Sequence, residues 1–146
     1  MTVVIPPNVI AAAQASDKAT GIPASVTLAQ WAVESGWGSK CTGTFNYFGV
    51  KAVHGQDGTA CATHEVVHGQ RIATTALFAN YPSLEAAFTA HAELLANGAP
   101  YADARTLLPN VAKFVNAFAP HYATDPNYAT LLLEIINGHD LTRYDA

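Results

Sequence analysis

Apolar residues recur at helical spacing toward both ends of the chain and at strand spacing in its middle. Asn8 to Thr20 is rich in alanine and stops at Gly21, a residue suited to the left-handed position after a helix. A second helix is predicted to open around Pro23 to Ser25, to run through Val26, Ala29, Gln30 and Val33 to Glu34, and to end near Ser35-Gly36, because Gly36 and Gly38 follow at once. From Phe45 to Tyr81 the glycines thicken and threonine and valine take over. There Thr59 to Val67 and Gln70 to Ala79 flank His68-Gly69, which predicts a hairpin. Helical patterning returns after Pro82: Ser83 serves as N-cap, Leu84, Phe88, His91 and Leu95 form the apolar face, and Gly98 closes it. A helix through Val111, Phe114, Val115 and Phe118 is expected to stop at Pro120. The last one is expected to take Asp125 as cap and Pro126 as its first residue, to carry Tyr128, Leu131, Leu132 and Ile135, and to end at Gly138. The pattern describes one domain over residues 1–146, mainly α (α+β), with a small β lobe at about 45–81 and a cleft between helices and lobe.

Composition narrows the function. Seven basic and eleven acidic residues among 146 give net charge −4 and a charged fraction of 12%, about half the ~25% usual for soluble domains. The apolar content excludes disorder, and seven scattered basic residues form no phosphate-neutralising stripe, which argues against nucleic acid as a partner. No run approaches the ~18 apolar residues of a membrane span; the densest, Leu131 to Ile136, is interrupted by Glu134. The N-terminal segment lacks a basic start and is broken by Pro6-Pro7, so it reads as mature protein and not as a secretory signal. Cys41 and Cys61 are either a disulfide, if the protein works outside the reducing cytosol, or two buried free thiols.

Two places could carry chemistry. Glu34 falls in the last turn of its helix among Trp31, Val33 and Trp37. Desolvation and the negative end of the helix dipole both oppose ionisation there, as a general acid requires. His64-Glu65-Val66-Val67-His68 matches the zinc motif H-E-x-x-H, but that motif needs both histidines on one helical face. Gly69 and the β-branched flanks indicate a strand, on which the two rings lie roughly 13 Å apart. No metal or cofactor is expected. On that strand Glu65 shares a face with Cys61, Thr63 and Val67 and borders the cleft. His54, His91, His121 and His139 show no ligand spacing and read as structural or surface residues. Tyr47, Phe48, Tyr81, Tyr101, Tyr122 and Tyr128 punctuate the element junctions; Phe48 reads as core, while tyrosines around a cleft suit sugars.

Ala29-Gln30-Trp31-Ala32-Val33-Glu34-Ser35-Gly36-Trp37-Gly38 resembles the signature helix of glycoside hydrolase family 73, the bacterial glucosaminidases. Asn46-Tyr47-Phe48-Gly49-Val50-Lys51, Thr63-His64-Glu65, Phe78 to Tyr81, and Tyr122 to Ala129 continue the resemblance in order, over roughly residues 8 to 140. It implies a lysozyme-like fold and hydrolysis of the β-1,4 bond after N-acetylglucosamine in peptidoglycan. Carried over by position, Glu34 is the general acid, Glu65 the second carboxylate, and Tyr122 the cleft tyrosine, with Tyr128 its competitor. Trp37, Asn46, Tyr47, Phe48, Tyr81 and Tyr128 are the implied substrate-binding set. Tyr47 in place of the usual Leu, Val66 after the second Glu and Ala79 in place of a basic residue depart from the family pattern. An N-acetylmuramidase or lytic transglycosylase on the same fold is the alternative activity, and a non-catalytic peptidoglycan-binding module the alternative of another class. The expected setting is a monomer acting at the bacterial wall or periplasm, delivered as a phage endolysin or through a secretion apparatus. Exposure there would permit a Cys41 to Cys61 bridge between the end of the Glu34 helix and the strand bearing Glu65.

Overall fold

The computed structural model describes residues 4–40, 42–53 and 55–146, and of Glu65 the backbone. Helix α1 (Pro7–Thr20) ends where expected: Gly21 adopts φ 81° and its N–H donates to the Asp17 carbonyl at 2.8 Å. Helix α2 (Ala24–Ser35) is buried along its length, Ala24 to Ala32 and Ser35 alike. A helix buried on all sides sits at the centre of a domain, here with polar Ser25, Thr27 and Gln30 buried as well, and α1, α3 (Leu84–Asn97), α6 (Tyr128–Gly138) and the C-terminal 3-10 turn Leu141–Tyr144 pack around it. Its backbone surfaces only in the last turn, where Val33 is half-buried and Glu34 exposed.

Two carboxylates from elsewhere in the chain satisfy the N-terminus of α2. Asp145 accepts from the Ser25 N–H at 2.6 Å and the Ser25 hydroxyl at 2.8 Å, and Asp17 Oδ2 accepts from the Ala24 N–H at 3.0 Å. Acceptors at this end meet orphan donors and the positive end of the helix dipole.

Strands β1 (Gly58–Val67) and β2 (Gln70–Ala79) form the hairpin, antiparallel from Gly58 opposite Ala79 to Val67 opposite Gln70. His68 and Gly69 turn the chain with φ 51° and 77°, the two left-handed residues that a type I′ turn requires. Phe78 and Ala79 anchor the base in the helical body, and Lys51 pairs with Phe78. The tip, Val66 to Ala73, is exposed. His64 lies on the strand and His68 in the turn, so the H-E-x-x-H spacing has no helical face. The His64 Nδ1 instead faces an Arg71 guanidinium nitrogen at 3.4 Å.

Helix α3 (Leu84–Asn97) is capped by Ser83, which accepts from the Ala86 N–H at 3.0 Å. Gly98 does not take the left-handed conformation that a closing glycine suggests; its φ is −67°. Glycine is needed there for space, since a Cβ would sit 2.5 Å from the Leu94 carbonyl oxygen and 2.9 Å from the Tyr101 ring. A 3-10 turn, Ala99–Tyr101, leads into the short α4 (Ala102–Arg105), whose Arg105 caps α3 by donating to the Leu95 and Gly98 carbonyls at 3.0 and 2.7 Å.

Helix α5 (Val111–Tyr122) passes through Pro120 and does not stop at it. The proline lacks one N–H of the final turn, and the helix still closes with the Ala123 N–H on the Ala119 carbonyl at 3.0 Å. This extension places Tyr122 on the helix. Helix α6 (Tyr128–Gly138) begins later than Asp125 and Pro126 suggest: Asp125 Oδ1 accepts from the Asn127 N–H at 2.8 Å, an Asx turn that precedes the helix. Its buried stripe is Tyr128, Leu132 and Ile136, while Leu131 faces solvent.

Candidate active site

The end of α2 sets the position of Glu34. Gly36 (φ 57°) and Trp37 (φ 59°) both turn back, and both N–H groups are directed at the Ala32 carbonyl, Trp37 at 3.0 Å. Gly38 then passes so close to the helix that a Cβ would stand 2.8 Å from the Trp31 ring. Trp31 is buried and meets Trp37 edge-on at 6.0 Å, and Trp37 meets His139 edge-on at 4.8 Å.

Across from Glu34, α5 and α6 present two tyrosines stacked at 5.5 Å, Tyr122 and Tyr128. The Tyr128 hydroxyl donates to Glu34 Oε1 at 3.1 Å. Although the Glu34 side chain is exposed overall, loss of water around its carboxyl raises the pKa above the ordinary 4.5, and the Tyr128 hydrogen bond partly opposes that rise. Burial is thus the cause that acts, as the sequence suggested. Both tyrosines are pushed up, chiefly by burial. They differ in what their hydroxyls do. Tyr128 is engaged on two sides, by Glu34 and by the Gln30 amide nitrogen at 3.2 Å, while the Tyr122 hydroxyl makes no hydrogen bond among the described residues and is not sealed from solvent.

Behind Tyr128 the polar line continues inward. Gln30 Oε1 meets His91 Nε2 at 2.8 Å, and the His91 ring stacks flat on Phe48 at 3.9 Å, with Tyr122 edge-on at 5.8 Å. Both Gln30 and His91 are fully buried. The sequence reading did not single out Gln30, and it placed His91 on the apolar face of α3 as a structural or surface residue. The available signal was a polar side chain on an otherwise apolar face: Gln30 one helical turn before Glu34, and His91 three residues after Phe88.

The other candidates disperse. Phe48 is core, buried against Phe88 and His91, and so does not offer the substrate-binding surface that the resemblance implies. Asn46 is buried and its amide ties the loop to the hairpin base, donating to the Val50 and Ala79 carbonyls at 2.8 and 2.9 Å and accepting from the Val50 N–H at 3.0 Å. Trp37, Tyr47 and Tyr81 are half-buried. Glu65 is placed by its backbone on β1 opposite Ile72. Cys41, and with it the Cys41–Cys61 pairing, and His54 lie outside the described residues. A cavity of about 450 Å³ beside residues 138–144 is lined by Ile5, Ile10, His139, Asp140, Arg143 and Tyr144, and none of the tyrosines around Glu34 reaches it.

A family model described as mannosyl-glycoprotein endo-beta-N-acetylglucosaminidase matches residues 10–141. Among curated proteins the chain is 32% identical to a probable N-acetylmuramidase of Lactococcus lactis over 94% of its length and 34% of that protein's. It is 33% identical to the peptidoglycan hydrolase FlgJ of Salmonella typhimurium over 85% of its length and 42% of that protein's. The chain therefore spans between about a third and a half of these relatives. The catalytic domain of the autolysin Auto from Listeria monocytogenes superposes with TM-score 0.83 at 26% identity, over 99% of this chain and 91% of that one. The glycoside hydrolase domain of Salmonella typhimurium FlgJ, truncated at its C-terminus, gives TM-score 0.74 at 31% identity, over 90% and 93%. The mainly helical fold with its small antiparallel lobe is theirs as well, and the chain belongs to the glucosaminidase family of glycoside hydrolases.

Proposed function

We propose that this domain hydrolyses the β-1,4 glycosidic bond after N-acetylglucosamine in peptidoglycan, with Glu34 as general acid. The observation that carries the reading is a carboxyl at the one surfacing turn of a buried helix, desolvated enough to keep its proton above the ordinary range and held by the Tyr128 hydroxyl. Glycoside hydrolysis needs such an acid to protonate the leaving oxygen and a second carboxylate as base or nucleophile. Glu65, on the hairpin strand, is the candidate for the second role, through water or in concert with the sugar's own acetamido group. The Tyr122 hydroxyl is available to the sugar, and the half-buried Trp37, Tyr47 and Tyr81 are candidates for stacking on an uncharged polymer face.

The Lactococcus relative named as a probable N-acetylmuramidase gives the muramidase reading its support. Mass spectrometry of digested peptidoglycan separates the two: new reducing N-acetylglucosamine ends are expected, and reducing or 1,6-anhydro muramic acid ends would overturn the glucosaminidase assignment. Glu34→Gln is expected to lower turnover by about 10²- to 10⁴-fold, the usual worth of a general acid. Unchanged wall binding and function in Glu34→Gln would instead make the domain a binding module.

A further inference from the structure

The chain Glu34, Tyr128, Gln30, His91 runs from the surface to the core in three hydrogen bonds of 3.1, 3.2 and 2.8 Å. Each link has a direction, and the directions are coupled. Gln30 offers one acceptor and one donor end. If His91 carries its proton on Nε2, that proton goes to Gln30 Oε1, the amide NH₂ faces the Tyr128 oxygen, and the Tyr128 proton must point at Glu34. If His91 carries it on Nδ1, every link reverses: Tyr128 donates to Gln30 and Glu34 must donate to Tyr128.

The far end decides between them. His91 Nδ1 is buried and has no hydrogen-bond partner among the described residues. A bare lone pair is tolerated there more readily than a buried N–H with nothing to accept it, so the proton sits on Nε2. Burial also pushes the ring's pKa down to about 3, which disfavours a second proton. The ring lies flat against Phe48, and it is Nε2 that meets Gln30 Oε1, at 2.8 Å.

We propose that His91 and Gln30 are positioning residues: the His91 Nε2–H locks the Gln30 amide, the amide locks the Tyr128 hydroxyl onto Glu34 Oε1, and the catalytic proton of Glu34 is thereby confined to Oε2. The proposal rests on Glu34 being the acid, but its mechanism can be read without turnover. The titratable groups facing Glu34 are Tyr128 on α6 and Tyr122 on α5, with Tyr101 behind Tyr122. Among the described residues, His139 lies on the far side of Trp37 and His91 three hydrogen bonds inward.

The test is a ¹³C-carboxyl NMR titration of Glu34 in glutamate-labelled protein. Tyr128→Phe removes the donor and should raise the Glu34 pKa by about one pH unit, the order of a charge-assisted hydrogen bond. His91→Phe keeps the stacked ring but frees the Gln30 amide to turn its oxygen to Tyr128 and draw the hydroxyl away, so a rise approaching that of Tyr128→Phe is expected. Gln30→Met cannot compete for the hydroxyl and should raise it less. The double variant Gln30→Met with His91→Phe should fall back to the Gln30→Met value, a rescue that loss of packing does not produce. A wild-type titration in His91→Phe, or a double variant no lower than His91→Phe alone, overturns the proposal. Should His91→Phe not fold, the double variant, which leaves no orphaned amide, is compared with Gln30→Met: equal values support the relay and a further rise overturns it. The alkaline limb of the kcat/KM profile should move with each titration. A limb that stays while the carboxyl shifts overturns Glu34 as the acid and leaves the relay standing.

Discussion

At the scale of single residues the two stacked tyrosines separate into different tasks. Tyr128 engages its hydroxyl with Glu34 and Gln30, whereas the Tyr122 hydroxyl has no hydrogen bond among the described residues. Tyr122→Phe is therefore expected to lower turnover by about 10-fold or more while leaving the pH profile in place, and Tyr128→Phe to move the alkaline limb upward. Rate measurements on sacculi across pH 5 to 9 check both. Glu34 carries its own cost in stability. Its folded-state pKa lies above the unfolded value, so the folded form gives up stability as pH rises from about 4.5 through the raised pKa. Glu34→Gln should accordingly raise Tm at pH 7, by about 1–3 °C, and change it little at pH 4; scanning calorimetry at the two values decides. Of this site, Glu34 was legible because a carboxylate among tryptophans at a helix end is unusual on its face. The choice between Tyr122 and Tyr128 was not, because it turns on which hydroxyl is occupied, and spacing along one chain says nothing of partners 94 residues apart.

At the scale of elements, the sequence located helices by their apolar period and missed where one ends and another begins. Pro120 and Asp125 carry strong local signals, and each was outweighed by other local geometry: α5 tolerates a missing donor in its final turn, and the Asp125 carboxylate closes an Asx turn before α6 starts. The capping of α2 was beyond local reading altogether, because its acceptors come from α1 and from residue 145. Asp145→Ala removes both bonds to Ser25 and is expected to cost about 1 kcal/mol, the usual worth of a helix cap, seen as a lower midpoint in urea with unchanged slope. Gly38→Ala should cost more. Its φ of 85° disfavours any side chain, and the new Cβ would press on the Trp31 ring at 2.8 Å. Because that ring backs the turn bearing Glu34, activity is expected to fall along with Tm.

For the whole molecule, a low charge fraction means that few ionisable groups govern how stability follows pH, and a buried one stands out. His91 lies at the meeting point of α2, α3 and α5, and its pKa of about 3 sits far below the ordinary 6.5. The unfolded chain takes up a proton there as pH falls through 6.5, and the folded chain does not until about 3. Stability is therefore present in full above 6.5 and is lost on acidification at up to ~1.4 kcal/mol per pH unit for that one proton. Glu34 and Asp145, both raised by burial, act with the opposite sign, gaining stability as pH falls from their raised values toward 4.5 and 3.8, which offsets part of the His91 loss and curves the profile. Urea unfolding at pH 7, 6, 5 and 4 should show this curvature. The Gln30→Met, His91→Phe double variant, which removes the buried imidazole together with its partner, should flatten the lower part of the curve. An equally steep loss in that variant would place the acid sensitivity elsewhere.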